Sequence, residues 1–460
     1  MNISPTKRVL PLIFKGFAAL AMLGVVGAAM LLGSLWLEHR TEITLPTPTG
    51  PFAVGRALYD WADDNALDTL APVPGTKREL LVWIWYPSAA GPSTAMADYL
   101  PSEMRAAVER DRGLLLSKFL TRDLSKVHGH STRNARVSQQ QRSYPVLIMR
   151  AGASAEVANY STLAEDLASH GYVVVGFDAP YRTGIVVFPD GRAMRRIPEN
   201  NPELCLERTG EARERCATRL LSAWTADIAF VLDRLERLNT SGAPGKFTGR
   251  LDMTRVGVFG HSFGGAAAAL FCQEDPRCKA GIDVDGSLHG SVIQGGIDRP
   301  FMFLLSDHTH ESDPESHQIL ANMQSVYDRL PQDRRAFVEI RGGNHFLFSD
   351  DGALLKSHIV LRTLRLLRIV GIDGRRQLAV TAYCLRSFFD AYVKGAGVSP
   401  LKISSPLYPE IEVLDSAQPQ QSNRHAWRLP PIRCRAGMRS TRCGRESRPR
   451  SDLRPIAWLR

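Results

Sequence analysis

Net charge is scarce wherever the chain has the composition to fold. From Asn423 to Arg460 there are eleven arginines, no lysine and two acids, Glu446 and Asp452, so this stretch holds +9 of the total +10. The rest is left at about +1, which gives nucleic acid no electrostatic hold on the body and excludes it as an expected partner. No Cys-x-x-Cys pair occurs among the seven cysteines, so a zinc module is not expected. Internal repeats are absent, and a solenoid or propeller is not expected. The C-terminal stretch lacks apolar content and is rich in Arg, Ser and Pro, so residues 401–460 read as a tail, disordered from about 423.

Charge is also missing from "GFAALAMLGVVGAAMLLGSLWL", Gly16 to Leu37, which is long enough to span a bilayer. Lys7, Arg8 and Lys15 precede it, so residues 1–15 should stay cytoplasmic and the body should lie outside. We expect one transmembrane anchor at 16–37. A cleaved signal peptide is the alternative, and both export the body to the periplasmic side. Cysteine spacing fits that compartment. Cys205 and Cys216 bracket one polar loop, Cys272 and Cys278 another, and each pair is a candidate local disulfide contributing about 2–3 kcal/mol. Cys384 lies in an apolar helix and reads as a buried thiol.

Residues 38–55 read as a linker into a body spanning 56–400. Within it, all-apolar strands such as "YPVLIM" (144–149) and "VVVGFD" (173–178) alternate with helices. Examples are "STLAEDLASHGY" (161–172), with Ser161 as N-cap, and "LLSAWTADIAFVLDRLERLN" (220–239), with Trp224, Ile228, Val231, Leu235 and Leu238 on one face. Strands are also expected at 79–88, 279–285, 299–307 and 336–345, and helices near 356–370 and 375–393. This alternation predicts an α/β fold, a mostly parallel sheet with helices on both faces. An insertion at about 181–218 interrupts it.

"RVGVFGHSFGGAAAAL" (255–270) carries the chemistry. Val256, Val258 and Phe259 form a buried strand and Gly264 onward a buried helix, so the chain turns at Ser262. Gly260 and Gly264 leave the room that such a turn needs. G-x-S-x-G in strand–turn–helix context is a nucleophile elbow, with the next N–H at a helix N-terminus. A serine hydroxyl needs a base, and the base a group that orients it. In the order Ser, acid, His, the chain offers Asp285 at a strand end and His345 after the glycine loop "RGGNH". Asp283 competes with Asp285 but lies inside the strand. His261 is too close to Ser262 to reach back, and His289 too close to Asp285. His308 and His310, in "SDHTHESD", read as a solvated loop, and no metal is expected. The oxyanion donors expected are the backbone N–H groups of Phe263 and, in "RAGASAEV", Ala153.

With those residues in hand, the body from about 46 to 395 resembles the platelet-activating factor acetylhydrolase family of α/β-hydrolases, which neighbours the dienelactone hydrolases. "GHSFGG", "YSTLAEDLASHGYVVVGFD", the helix at 220–239 and the Asp285 and His345 segments carry the likeness. The resemblance implies an α/β-hydrolase fold with Ser262 as nucleophile, Asp285 as acid, His345 as base, and Phe263 and Ala153 as oxyanion donors. It implies a calcium-independent esterase without cofactor, acting on short or oxidised sn-2 acyl groups of phospholipids. Small soluble esters, an acyltransferase and a non-catalytic scaffold are the competing readings. The chain departs from the family in carrying Ala151-Gly152 where His-Gly is usual, a change that bears on loop rigidity and acyl preference. The 181–218 insertion is the expected lid or acyl-selecting wall.

Overall fold

Burial along the central strands explains the layering. Tyr144–Arg150 is buried at every residue, with Leu147 and Met149 in one apolar cluster and Val146 and Ile148 in the other. Period-two alternation therefore feeds two cores, one on each face of a sheet. The structure, a computed structural model, describes residues 6–89, 96–115, 122–240, 245–308, 314–354, 371–395 and 403–414. The helix expected near 356–370 and most of the 401–460 tail lie outside the described residues.

In chain order the strands are β1 (Ile43–Thr44), β2 (Ala53–Leu67), β3 (Lys77–Ser88), β4 (Met96–Asp98), β5 (Val127–Arg133), β6 (Tyr144–Arg150), β7 (Val173–Asp178), β8 (Ile185–Val187), β9 (Ala193–Arg195), β10 (Leu251–His261), β11 (Cys278–Val284), β12 (Phe301–Leu305), β13 (Arg335–Ile340) and β14 (Ile411–Val413). Among the described residues the main sheet has twelve of them, in the order β1-β5-β2-β3-β7-β6-β10-β11-β12-β13-β14, with β4 on β5. From β7 through β13 all pairings are parallel. The sheet is mixed, because β2 and β3 form a long antiparallel hairpin and β3 runs antiparallel to β7. Pro87 does not stop β3, which pairs with β2 as far as Ser88.

Helices cover both faces. Ser161–Ser169 and Gly374–Tyr392 pack Leu163, Leu167, Leu385 and Phe388 on one side. Gly210–Thr240, Phe263–Glu274 and Pro314–Arg329 pack Ile228, Val231, Phe271 and Val326 on the other. Each fully buried side chain of this size contributes about 1.5–3 kcal/mol. Ser161 does not cap its helix. Its hydroxyl donates to the Ala158 carbonyl at 2.7 Å. Asp350 takes the capping role instead, accepting the Ser161 and Thr162 N–H groups at 3.1 and 3.0 Å. The expected helix at 220–239 starts ten residues earlier, at Gly210, and takes in Cys216 from the insertion.

Both cysteine pairs are disulfides, Cys205–Cys216 and Cys272–Cys278, and Cys384 is a buried free thiol. Among the described residues one helix, Lys15–Arg40, is long and apolar enough to cross a membrane, with mean hydropathy 2.1. Its end meets the body directly. Asp123 N–H donates to the His39 carbonyl at 3.0 Å, and Arg122 Nη1 to the Glu38 carbonyl at 3.0 Å.

The insertion is clamped by charge. Arg182 is buried, with Nη2 2.8 Å from Asp227 on the long helix and Nη1 2.9 Å from Asp68. Removing Asp227 would leave Arg182 with Asp68 alone and take the acceptor from its buried Nε and Nη2 donors. Asp227→Ala should therefore cost about 1–3 kcal/mol, seen as a lower urea midpoint at unchanged slope. A midpoint equal to the parent's would contradict a structural role for this clamp.

Candidate active site

Ser262 sits between β10 and the helix Phe263–Glu274 with φ 56° and ψ −127°. A non-glycine residue there is strained, and the strain persists because its neighbours leave no alternative. A Cβ on Gly260 would strike the Gly264 carbonyl, and one on Gly264 would strike the Ala151 carbonyl. Close packing at both glycines lets strand and helix meet within one residue. Ser262 N–H donates to the Val284 carbonyl at 2.8 Å, tying the elbow to β11. Phe263 opens the helix, so its N–H has no intrahelical acceptor.

Asp285 follows β11 directly, at φ 55°. Its N–H donates to the Leu304 carbonyl at 2.9 Å, and its side chain turns over the carboxyl edge of the sheet. His345 comes round from β13 through a glycine turn, where Gly342 has φ +71°. Asn344 accepts the Phe346 N–H at 3.0 Å, and buried Gln377 bonds the Asn344 N–H and carbonyl at 2.9 and 2.8 Å. So placed, His345 Nδ1 donates to Asp285 Oδ2 at 2.8 Å. Burial raises the Asp285 pKa, but hydrogen bonds and charge from His308 and His345 outweigh it and hold the carboxyl far below its ordinary range. His345 lies against the elbow, its ring centroid 4.5 Å from that of His261. Among the described residues no hydrogen bond joins Ser262 to His345, and such contacts commonly tighten only around substrate.

The competing groups separate on geometry. Asp283 is fully buried inside β11, where Oδ1 accepts the Gly286 N–H at 2.9 Å. Burial raises its pKa well above the ordinary value. His261 Nδ1 accepts the Tyr160 hydroxyl at 2.7 Å, and burial, with the nearby His345, holds its pKa down to about 3. His289 is 3.7 Å from Glu214 on the long helix. His308 is the residue that sequence reading placed in a solvated loop. Its Nε2 instead lies 2.9 Å from Asp285 Oδ1. The available signal was topological: β11 and β12 are parallel neighbours, so residues just past their ends share one edge. His310 lies outside the described residues.

The loop after β6 lies beside the elbow. Gly152 lies against the serine, and a Cβ added there would stand 3.3 Å from the Ser262 Cβ. Gly152 N–H donates to the Tyr160 hydroxyl at 3.1 Å, and that hydroxyl donates onward to His261. The loop is thus pinned through Tyr160, with Ala151 in place. Next to the elbow lies a buried apolar cluster in which Leu70, Leu220, Trp224 and Phe263 meet the Cys205–Cys216 disulfide, with Ala153 packed on it. Trp224 meets Phe263 edge to face at 5.0 Å. Beneath it, Arg150 is sandwiched between Phe177 and Trp224, its guanidinium carbon 4.2 Å from each ring centroid.

A mixed sheet covered by helices, with a strained serine, an acid and a histidine at its carboxyl edge, is consistent with an α/β-hydrolase. Comparison narrows the class. Residues 37–391 match the model of the family described as platelet-activating factor acetylhydrolase, isoform II, and the chain belongs to that family. It is 24% identical over 420 residues to a probable 1-alkyl-2-acetylglycerophosphocholine esterase of Arthroderma benhamiae, covering 85% of this chain and 99% of the relative. A platelet-activating factor acetylhydrolase of Cavia porcellus is 24% identical over 346 residues, 69% of this chain and 73% of the relative. Among solved structures, a ferulic acid esterase from Streptomyces cinnamoneus superposes with TM-score 0.63 at 26% identity, covering 81% of this chain and 99% of the other. These findings support a carboxylic ester hydrolase.

The two neighbouring carboxyls predict opposite behaviour on titration. Asp283, raised in the folded state, binds its proton more tightly folded than unfolded, so its contribution to stability falls as pH rises above about 4. Asp283→Asn removes that loss. Its stability relative to the parent should improve as pH rises above about 4 in urea unfolding, and a gap constant with pH would refute a raised Asp283 pKa. Asp285, depressed, stabilises above its unfolded value of about 3.9 and loses that contribution only at lower pH.

Proposed function

We propose that the chain is a serine esterase in which Ser262 attacks the ester carbonyl and forms an acyl-enzyme. His345 takes the serine proton and returns it to the leaving alcohol; water then cleaves the acyl-enzyme by the same route. Asp285 holds His345 in the tautomer with Nδ1–H toward the carboxylate. The N–H groups of Phe263 and Ala153 receive the oxyanion. The observation that carries this reading is the pairing of a strained elbow serine, φ 56°, with a 2.8 Å Asp285–His345 bond beside it. No metal or other cofactor enters the steps.

For substrate, we assign short or oxidised sn-2 acyl esters of phospholipids, supported by family membership and by the buried apolar cluster next to the serine. Residues 181–218 contribute Cys205 and Cys216 to that cluster, which supports the insertion as the acyl-selecting part. The 16–37 helix would anchor the 56–400 body on the outer face of the membrane, supported by the flanking charges and two disulfides. A second reading, small soluble esters, is favoured by the close superposition on a ferulic acid esterase.

Hydrolysis of p-nitrophenyl esters from acetate to decanoate, followed by a 2-acetyl phospholipid, separates these readings. Activity should fall with chain length, vanish in Ser262→Ala and extend to the phospholipid. Turnover confined to the small esters would favour the second reading. In the same assay Asp285→Asn should lose about 10⁴-fold in kcat.

A further inference from the structure

We propose that His308 is a positioning residue for Asp285, holding the carboxylate so that Oδ2 faces His345; the assignment rests on the serine-esterase reading above. Asp285 leaves β11 in the left-handed region, φ 55°, with its side chain projected over the sheet edge. Rotation about the last bond of an aspartate is broad and soft, so backbone conformation alone does not set the plane of the carboxylate.

Hydrogen bonding sets it. Oδ1 accepts the Ser306 N–H at 2.9 Å and faces His308 Nε2 at 2.9 Å. Oδ2 accepts the Ser306 hydroxyl at 2.7 Å and His345 Nδ1–H at 2.8 Å. A carboxylate offers about four acceptor positions, and here four donors fill them. Ser306 gives one bond to each oxygen and each histidine adds one more, so His308 braces the oxygen that His345 does not reach and the plane is held from both sides. A group facing an ionised carboxylate must donate, which places the proton of His308 on Nε2.

The fold delivers this second histidine without a long search. Val284 is registered opposite Leu304; β11 ends there and β12 one residue later, at Leu305, so Asp285 and Ser306 come off the same sheet edge. His308 lies three residues past the end of β12, its side chain 20% exposed, at the outer side of Asp285. Water could donate to Oδ1 from that side, but it would not hold the carboxylate against rotation. Fixing the acid fixes His345, whose ring must keep Nδ1 on Asp285 while its other nitrogen works at Ser262.

The test uses the full chain and p-nitrophenyl acetate, with His308→Gln, His308→Leu and Ser262→Ala measured together. Leucine removes the donor and keeps the bulk; glutamine keeps an N–H donor at similar reach. His308→Leu should lose about 10-fold in kcat at unchanged KM, as expected for a small misplacement of a catalytic group. His308→Gln should recover to within about 3-fold of the parent, and both should unfold at the parent's temperature. Parent-like kcat in His308→Leu overturns the proposal. So does an equal loss in both variants, which would make the residue a packing element. A parent enzyme no faster than Ser262→Ala overturns the esterase reading itself, and the role of His308 with it.

Discussion

Ser262 is where β10 and the helix after it are forced to meet within one residue, and the rest of the site depends on that constraint. The positive φ of the serine is affordable only because Gly260 and Gly264 let backbone touch backbone. The elbow in turn faces two loops. The β6 loop brings Gly152 against the serine, pinned by Tyr160. The β11 edge brings Asp285, whose backbone is also in the left-handed region. Two strained residues at neighbouring strand ends mark the edge where the chemistry collects.

What was legible in the sequence was local. The elbow reads directly from Gly260, Ser262 and Gly264 between an apolar strand and an alanine-rich helix. The two cysteine pairs read from their spacing. The strand-end position of Asp285 separated it from Asp283, and the structure gives the reason: Asp283 is sealed within β11, while Asp285 reaches His345.

What was not legible depends on partners distant in sequence. Ser161 looked like a cap, but Asp350 supplies the bonds from far along the chain. The β2–β3 hairpin turns part of the sheet antiparallel, which strand composition alone does not encode. His308 looked solvated because its polar neighbours say so. Only the adjacency of β11 and β12 shows that it stands on the acid.

The insertion adds Cys205 and Cys216 to the buried apolar cluster that includes Phe263. A disulfide, the Arg182 clamp and the first turns of the long helix hold it, so the groups beside Ser262 are preorganised. The central claim is that this frame makes one serine nucleophilic. Its most direct test is peptide mass spectrometry after treatment with diethyl p-nitrophenyl phosphate. The account predicts a single diethylphosphoryl adduct on Ser262, lost when His345 is replaced by Ala. An adduct on another residue, or none on a folded protein, would contradict it.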